Sequence, residues 1–207
     1  MLKVAIIDYG IGNLRSVINA FNSIGVDSFR ARSRDEILAS DTLVLPGVGA
    51  FGRAMEKLEE LSLVTTLKEF SASEKPVLGI CLGMQLLFES SEEFGYNQGL
   101  GLIPGNVKRL PLKEKNKLPH IGWVQLEKGN LSWDSTILKG HESIDVYFVH
   151  SYHVVPEQDS VITSFVDYSD EKCVASVQYN NIHGCQFHPE KSSYDGLDIL
   201  KNFANLA

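Results

Sequence analysis

Pro76-Val77-Leu78-Gly79-Ile80-Cys81-Leu82-Gly83-Met84-Gln85-Leu86-Leu87-Phe88 is the stretch from which the fold can be read. It opens as a short apolar run, the mark of a strand buried on both faces, and changes at Cys81 to apolar residues at helical spacing. The pattern predicts a strand ending at Cys81 and a helix containing Leu82, Leu86, Leu87 and Phe88. Strands that feed directly into helices build parallel sheets, because a parallel neighbour is reached only by a crossover.

The same grammar recurs on either side. Leu2 to Ile7 reads as a buried strand, and Asn13 can cap a helix whose apolar face carries Leu14, Val17, Ile18, Phe21 and Ile24, ended by Gly25. Thr42-Leu43-Val44-Leu45 runs into Pro46-Gly47-Val48-Gly49, after which Ala54, Leu58 and Leu61 continue at helical spacing. These junctions predict an α/β fold with a parallel sheet, in which ligands gather at the carboxyl ends of the strands. The second half changes to shorter strand-like pieces, Asp145 to Val149, Val174 to Gln178 and Gly184 to Phe187, and closes with an amphipathic helix over Asp195 to Leu206. With no repeat, low-complexity tract or linker, the 207 residues, 43% hydrophobic and 22% charged, are expected to form one domain, 1–207.

A formal net charge of -7 without a compact basic cluster argues against a nucleic-acid partner. The apolar run at the start is too short for a signal segment and is broken by Asp8, Gly10 and Gly12, and no later stretch reaches the roughly 18 apolar residues of a membrane span. The chain therefore reads as cytoplasmic, with no membrane partner. Cys81, Cys173 and Cys185 form an odd set without a CxxC pair, so at least one thiol is free.

Gly79-Ile80-Cys81-Leu82-Gly83 has the form of a nucleophile elbow, in which small flanking residues permit a strained turn that lifts the side chain clear of the sheet. The helix starting at Leu82 points its positive end at the sulfur and favours the thiolate, the attacking form. Cys185-Gln186-Phe187-His188-Pro189-Glu190 supplies an imidazole and a carboxylate on either side of one proline. Residues two apart in extended chain share a side, so Glu190 can fix the tautomer of His188 while the other ring nitrogen faces the thiol. Pro46-Gly47-Val48-Gly49 and Leu82 offer backbone N–H groups for a developing oxyanion. Each element alone also has a structural explanation: a core cysteine beside packing glycines, a solvated turn, an ordinary strand-to-helix turn.

Taken together, Gly-Ile-Cys-Leu-Gly-Met-Gln, Pro-Gly-Val-Gly-Ala-Phe-Gly and Gln-Phe-His-Pro-Glu-Lys-Ser resemble the triad-type (class I) glutamine amidotransferases across almost the whole chain. Within that family, Asp8 to Leu14, Pro119-His120-Ile121-Gly122-Trp123 and Val149-His150-Ser151-Tyr152 look most like the branch that serves imidazole glycerol phosphate synthases as glutaminase subunits. The resemblance implies a flavodoxin-like α/β/α sandwich with a mostly parallel sheet. It implies Cys81, His188 and Glu190 as the catalytic triad, Val48 and Leu82 as the oxyanion hole, and Gly49, Gln85, Glu93, His150, Ser151 and Tyr152 around the glutamine. Gln85 also follows the nucleophile by one helical turn, where a polar residue on an apolar helix wants a buried partner. The chemistry needs no cofactor.

Ammonia in neutral water is mostly protonated, and a chain of this length has little room for a second active site. The acceptor chemistry is therefore expected on a partner, which the resemblance makes a barrel-shaped cyclase in a heterodimer of histidine biosynthesis. Asn13 and Trp123 are the candidate contacts, an exposed tryptophan being a common interface anchor. Val124 and Cys185 depart from the branch's pattern, which leaves open a paralogous glutaminase serving another acceptor, such as a surface-polysaccharide sugar. The rivals from other classes are a cysteine hydrolase or peptidase on the same elbow and a flavodoxin-like binding module. His150 and His153 invite a metal reading with His183 and His188, but no short pattern of ligands accompanies them and no metal is expected.

Overall fold

Strand and helix alternate through the first half. In the computed structural model, which describes residues 2–113 and 117–207, the β-branched start forms β1 (Lys3–Ile7). Helix α1 (Leu14–Ser23) is capped by Asn13, whose side-chain oxygen accepts from the Ser16 N–H at 3.4 Å, and it buries Leu14, Val17, Ala20 and Phe21. Gly25, at φ 77°, turns the chain out of the helix in a conformation that disfavours residues with a Cβ. Strand β2 (Asp27–Ala31) and helix α2 (Arg34–Leu38) follow without having been foreseen, the first half-buried and polar, the second five residues long and closed by a Ser33–Glu36 capping box.

Next come β3 (Thr42–Gly47), α3 (Phe51–Glu60), α4 (Leu63–Ala72), β4 (Val77–Cys81) and α5 (Leu82–Leu86). The helix expected to run to Phe88 stops at Leu86, and Phe88 opens β5 (Phe88–Ser91). The carbonyls of Leu87 and Phe88 are taken by the N–H groups of Leu102 (2.8 Å), Ile103 (3.0 Å) and Gly101 (3.0 Å), so sheet pairing overrides a helical run of leucines. The rest is mostly strand: β6 (Asn97–Gln98), β7 (Ile103–Arg109), β8 (His120–Gln125), β9 (Glu127–Lys128), β10 (Asp145–His150), β11 (Tyr152–Pro156), β12 (Ile162–Tyr168), β13 (Glu171–Tyr179) and β14 (Ile182–Cys185), then helix α6 (Ser193–Ala204).

The central sheet runs β2-β1-β3-β4-β14-β13-β12-β9. Its first five strands are parallel, and β13, β12 and β9 extend it antiparallel. Strand β14 lies beside β4 with Gly184 opposite Gly79 and Cys185 opposite Ile80, so the chain leaving β14 emerges next to Cys81. A smaller sheet, β11-β7-β5-β6, and an antiparallel ribbon, β8 with β10, accompany it.

Side-chain alternation divides the interior in two. Ala5, Ile7, Leu43, Leu45 and Val77 pack with α3, α4 and the smaller sheet, while Val4, Ile6, Val44, Leu78 and Ile80 pack with α1, α6 and the ribbon. Each fully buried leucine, isoleucine or phenylalanine contributes about 1.5–3 kcal/mol. Helices thus cover both faces of the sheet, giving the three α/β/α layers. No described helix is long and apolar enough to cross a membrane.

Candidate active site

Cys81 ends β4 and caps α5 at φ 55° and ψ −111°. For a residue with a Cβ such a conformation costs about 1–3 kcal/mol, so its surroundings must impose it. The flanking glycines show how. A Cβ on Gly83 would stand 1.7 Å from the Leu45 carbonyl oxygen, and one on Gly79 would stand 2.7 Å from the Met84 backbone. Helix α5 therefore lies flush on β3 and β4, and the chain reaches it only through a sharp bend at the thiol.

His188 is strapped in place by its backbone. Its N–H donates to the Tyr147 carbonyl at 2.9 Å, and its carbonyl accepts from the Ser192 hydroxyl at 2.6 Å. The Ser192 oxygen in turn accepts from the Tyr147 N–H at 3.0 Å, closing a loop between ribbon and turn. Extended chain was expected to carry Glu190 to the ring; instead Pro189–Lys191 forms a 3-10 turn that folds the carboxylate back, with Oε1 2.8 Å from His188 Nδ1.

Both side chains are buried, and no hydrogen bond of ordinary geometry reaches His188 Nε2 among the described residues. Burial works against the imidazolium, but the neighbouring Cys81 sulfur and the Glu190 carboxylate outweigh it and raise the His188 pKa from 6.5 to about 10. The ring therefore carries its proton at neutral pH, and the sulfur acts on it through proximity.

A cavity of about 450 Å³ opens at Cys81 and His188. Val48 and Gly49 line it from the turn after β3, Leu82 and Gln85 from α5, Glu93 from the loop after β5, and His150, Ser151 and Tyr152 from the turn between β10 and β11. Pro119 and Val149 complete the wall. Glu190 stands behind His188, outside the lining. Asn13 and Trp123 lie apart from it: Asn13 caps α1, which touches the Pro189–Lys191 turn, and Trp123 is 54% exposed on β8. The Trp123 ring is 6.1 Å from that of Tyr147, itself 6.5 Å from the His188 ring.

The polar wall is tightly bonded. Gln85 Nε2 donates to the Tyr152 carbonyl and to Gln186 Oε1, both at 2.9 Å, and Gln186 Nε2 lies 3.6 Å from Cys81 Sγ. His150 Nδ1 donates to the same Tyr152 carbonyl at 2.8 Å, so its Nε2 accepts from His120 Nδ1 at 3.3 Å. Burial drives His150 down to about 3 and lowers His120, so both rings are neutral. Glu93 Oε2 accepts from the Phe51 N–H at 2.6 Å, capping α3, whose Ala50 has no side chain to do so. Among the described residues no group of three or more His, Cys, Asp or Glu is placed to hold a metal.

Two contributors escaped the sequence reading. Gln186 precedes His188 by two residues, and alternation along the strand was the available signal. Tyr9, whose hydroxyl donates to the Pro46 carbonyl at 2.9 Å, steadies the turn bearing Val48; burial, and then the Cys81 sulfur, push its pKa upward. Only its following Gly10 hinted at a turn. Val124 and Cys185, the departures from pattern, pack into the core on the side of α1 and α6 and are absent from the cavity wall.

A lone thiol raised on a strained elbow toward a buried histidine–glutamate pair defines a broad class, the α/β enzymes that work through a cysteine nucleophile. Within that class the chain belongs to one family: the sequence profile of the class-I glutamine amidotransferases matches residues 5–206. It is 50% identical over 212 residues to the imidazole glycerol phosphate synthase subunit HisH of Aquifex aeolicus, covering 100% of this chain and 98% of that one. To the subunit of the same name from Methanothermobacter thermautotrophicus it is 49% identical over 203 residues, covering 98% of each. Among solved structures, a glutamine amidotransferase superposes with a TM-score of 0.76 at 16% identity, over 98% of this chain and 97% of that one. PurLQS from Thermotoga maritima does so with 0.73 at 18%, over 99% and 98%; at such identities the likeness is one of fold.

Proposed function

We propose that the chain is a single-domain glutaminase subunit that releases ammonia from glutamine through a Cys81 thioester and passes it to a cyclase making imidazole glycerol phosphate. The observation that carries this is the cavity shared by Cys81 and a His188 backed by Glu190. Cys81 attacks the amide carbon, the N–H groups of Val48 and Leu82 hold the oxyanion, and His188 gives its proton to the departing nitrogen. His188, now neutral, activates water to hydrolyse the thioester through a second oxyanion, and glutamate leaves. Gly49, Gln85, Glu93, His150, Ser151 and Tyr152 hold the substrate in a volume suited to one amino acid.

The pathway is supported by relatives near half identity that are imidazole glycerol phosphate synthase subunits. The partner is a barrel-shaped cyclase in a cytoplasmic heterodimer, and its docking surface includes Asn13 and Trp123, both exposed. The test is glutamate release by the chain alone and with the cyclase and its ligand, alongside labelling by a glutamine-directed alkylating analogue. Stimulation by the cyclase and label on Cys81 alone are expected, with both activity and label lost in Cys81→Ser. Trp123→Ala should keep analogue labelling and lose much of the stimulation. Label on another residue, or a Cys81→Ser chain that still hydrolyses glutamine, sinks the proposal.

A further inference from the structure

The orientation of the Gln186 amide follows from a single backbone carbonyl. A carbonyl oxygen only accepts, so the Gln85 atom 2.9 Å from the Tyr152 oxygen is its NH2 group. That same nitrogen lies 2.9 Å from the Gln186 amide, which must therefore turn its oxygen toward Gln85. The Gln186 NH2 group is left facing Cys81 Sγ at 3.6 Å. Gln186 is 0% exposed, so water cannot satisfy a reversed amide, and reversal would set two donors against each other and an oxygen against the sulfur. Its backbone is fixed as well, the N–H donating to the Ala175 carbonyl at 2.8 Å.

The sulfur thus has polar neighbours of opposite effect. The Val149 carbonyl, 3.9 Å away, can only accept and favours the thiol, whereas the Gln186 amide donates and favours the thiolate. We propose that Gln186 is a positioning residue, an amide donor aimed at the Cys81 sulfur by Gln85, so that a residue of the glutamine pocket also sets the nucleophile. The catalytic half of this rests on the glutaminase reading; the effect on the thiol does not. His188, on the turn after β14, Tyr9, at the end of β1, and Cys185, in β14, also couple electrostatically to the sulfur, and all remain in the variants below.

The experiment follows the rate of Cys81 alkylation by iodoacetamide against pH in the full chain, read by mass spectrometry. Gln186→Met keeps the length and removes the donor; Gln186→Glu keeps the shape and sets a carboxylate against the sulfur. The inflection should move upward by about one pH unit or more in the first and further in the second, the scale of a hydrogen bond to a charged group. With the cyclase present, Gln186→Met should lower kcat for glutamine about 10- to 100-fold with KM nearly unchanged. Should the methionine variant not fold, the isosteric glutamate variant reads the same profile. A lower denaturation midpoint with an unmoved alkylation profile would reduce Gln186 to a packing residue and overturn the proposal. A shifted profile in a chain that never releases glutamate upholds it while removing the glutaminase reading.

Discussion

Glu190 never meets the cavity, and whatever it does for Cys81 passes through one imidazole. After the Cys81 sulfur, the carboxylate is the second group that opposes the burial working against the His188 proton. Glu190→Gln keeps the volume, removes the charge and can present an amide N–H to Nδ1, favouring the wrong tautomer. Glutamine turnover in the complex should fall by about 10²–10⁴-fold. The His188 titration, followed by imidazole NMR, should drop from about 10 toward its ordinary value of 6.5. An unmoved titration would show that the sulfur alone keeps the ring charged.

At the scale of elements, the meeting of β4 and α5 depends on two positions without side chains. In Gly83→Ala the new Cβ would lie 1.7 Å from the Leu45 carbonyl, which is backbone of a central strand and has nowhere to move. The helix must lift off the sheet, at a cost of roughly 1–3 kcal/mol or more by the measure of overpacked cores. A lower urea midpoint should accompany loss of turnover, since the lifted helix carries the Leu82 N–H away from the thiol. Normal stability and rate would mean that α5 is not pinned as described.

Those glycines also explain what could be read in the sequence. Residues 79 to 83 announce a bend because no other residue type fits, and β1, β3 and α1 announce themselves by burial on one period. The polar β2, the five-residue α2 and the strand β5 are set by neighbours instead: the run Leu86-Leu87-Phe88 is helical by local pattern, yet the helix stops at Leu86 and Phe88 becomes strand because β7 supplies a parallel edge. Likewise His188 and Glu190 were visible as a pair, but their actual geometry, a 3-10 turn tied to Tyr147, depends on contacts some forty residues apart, and the role of Gln186 depends on Gln85 and Cys81, 101 and 105 residues earlier.

For the molecule as a whole, buried imidazoles set the response to acid. Burial holds His150 near 3 and both His153 and His183 near 4, whereas in the unfolded chain each titrates near 6.5. Below 6.5 the unfolded state takes up protons that the native state refuses, so stability that is intact above that pH is lost as pH falls toward about 4. Each ring can shift the folding equilibrium by up to about tenfold per pH unit. His188 behaves in the opposite sense: its stabilising share is complete below 6.5 and fades as pH rises toward about 10. Urea midpoints should therefore decline from pH 6.5 downward, less steeply in His183→Phe, which fills a site edge-on to Phe203 with an apolar ring. A flat profile down to pH 5 would contradict this.

The register that sets Gly184 against Gly79 has a consequence during synthesis. A ribosome that has just made β4 has delivered the sulfur but is still about a hundred codons short of the His188 imidazole. If His188 is the proton carrier proposed above, a polypeptide released before that residue holds a nucleophile without its partner, and no glutamine should be consumed until the last strand has slid home.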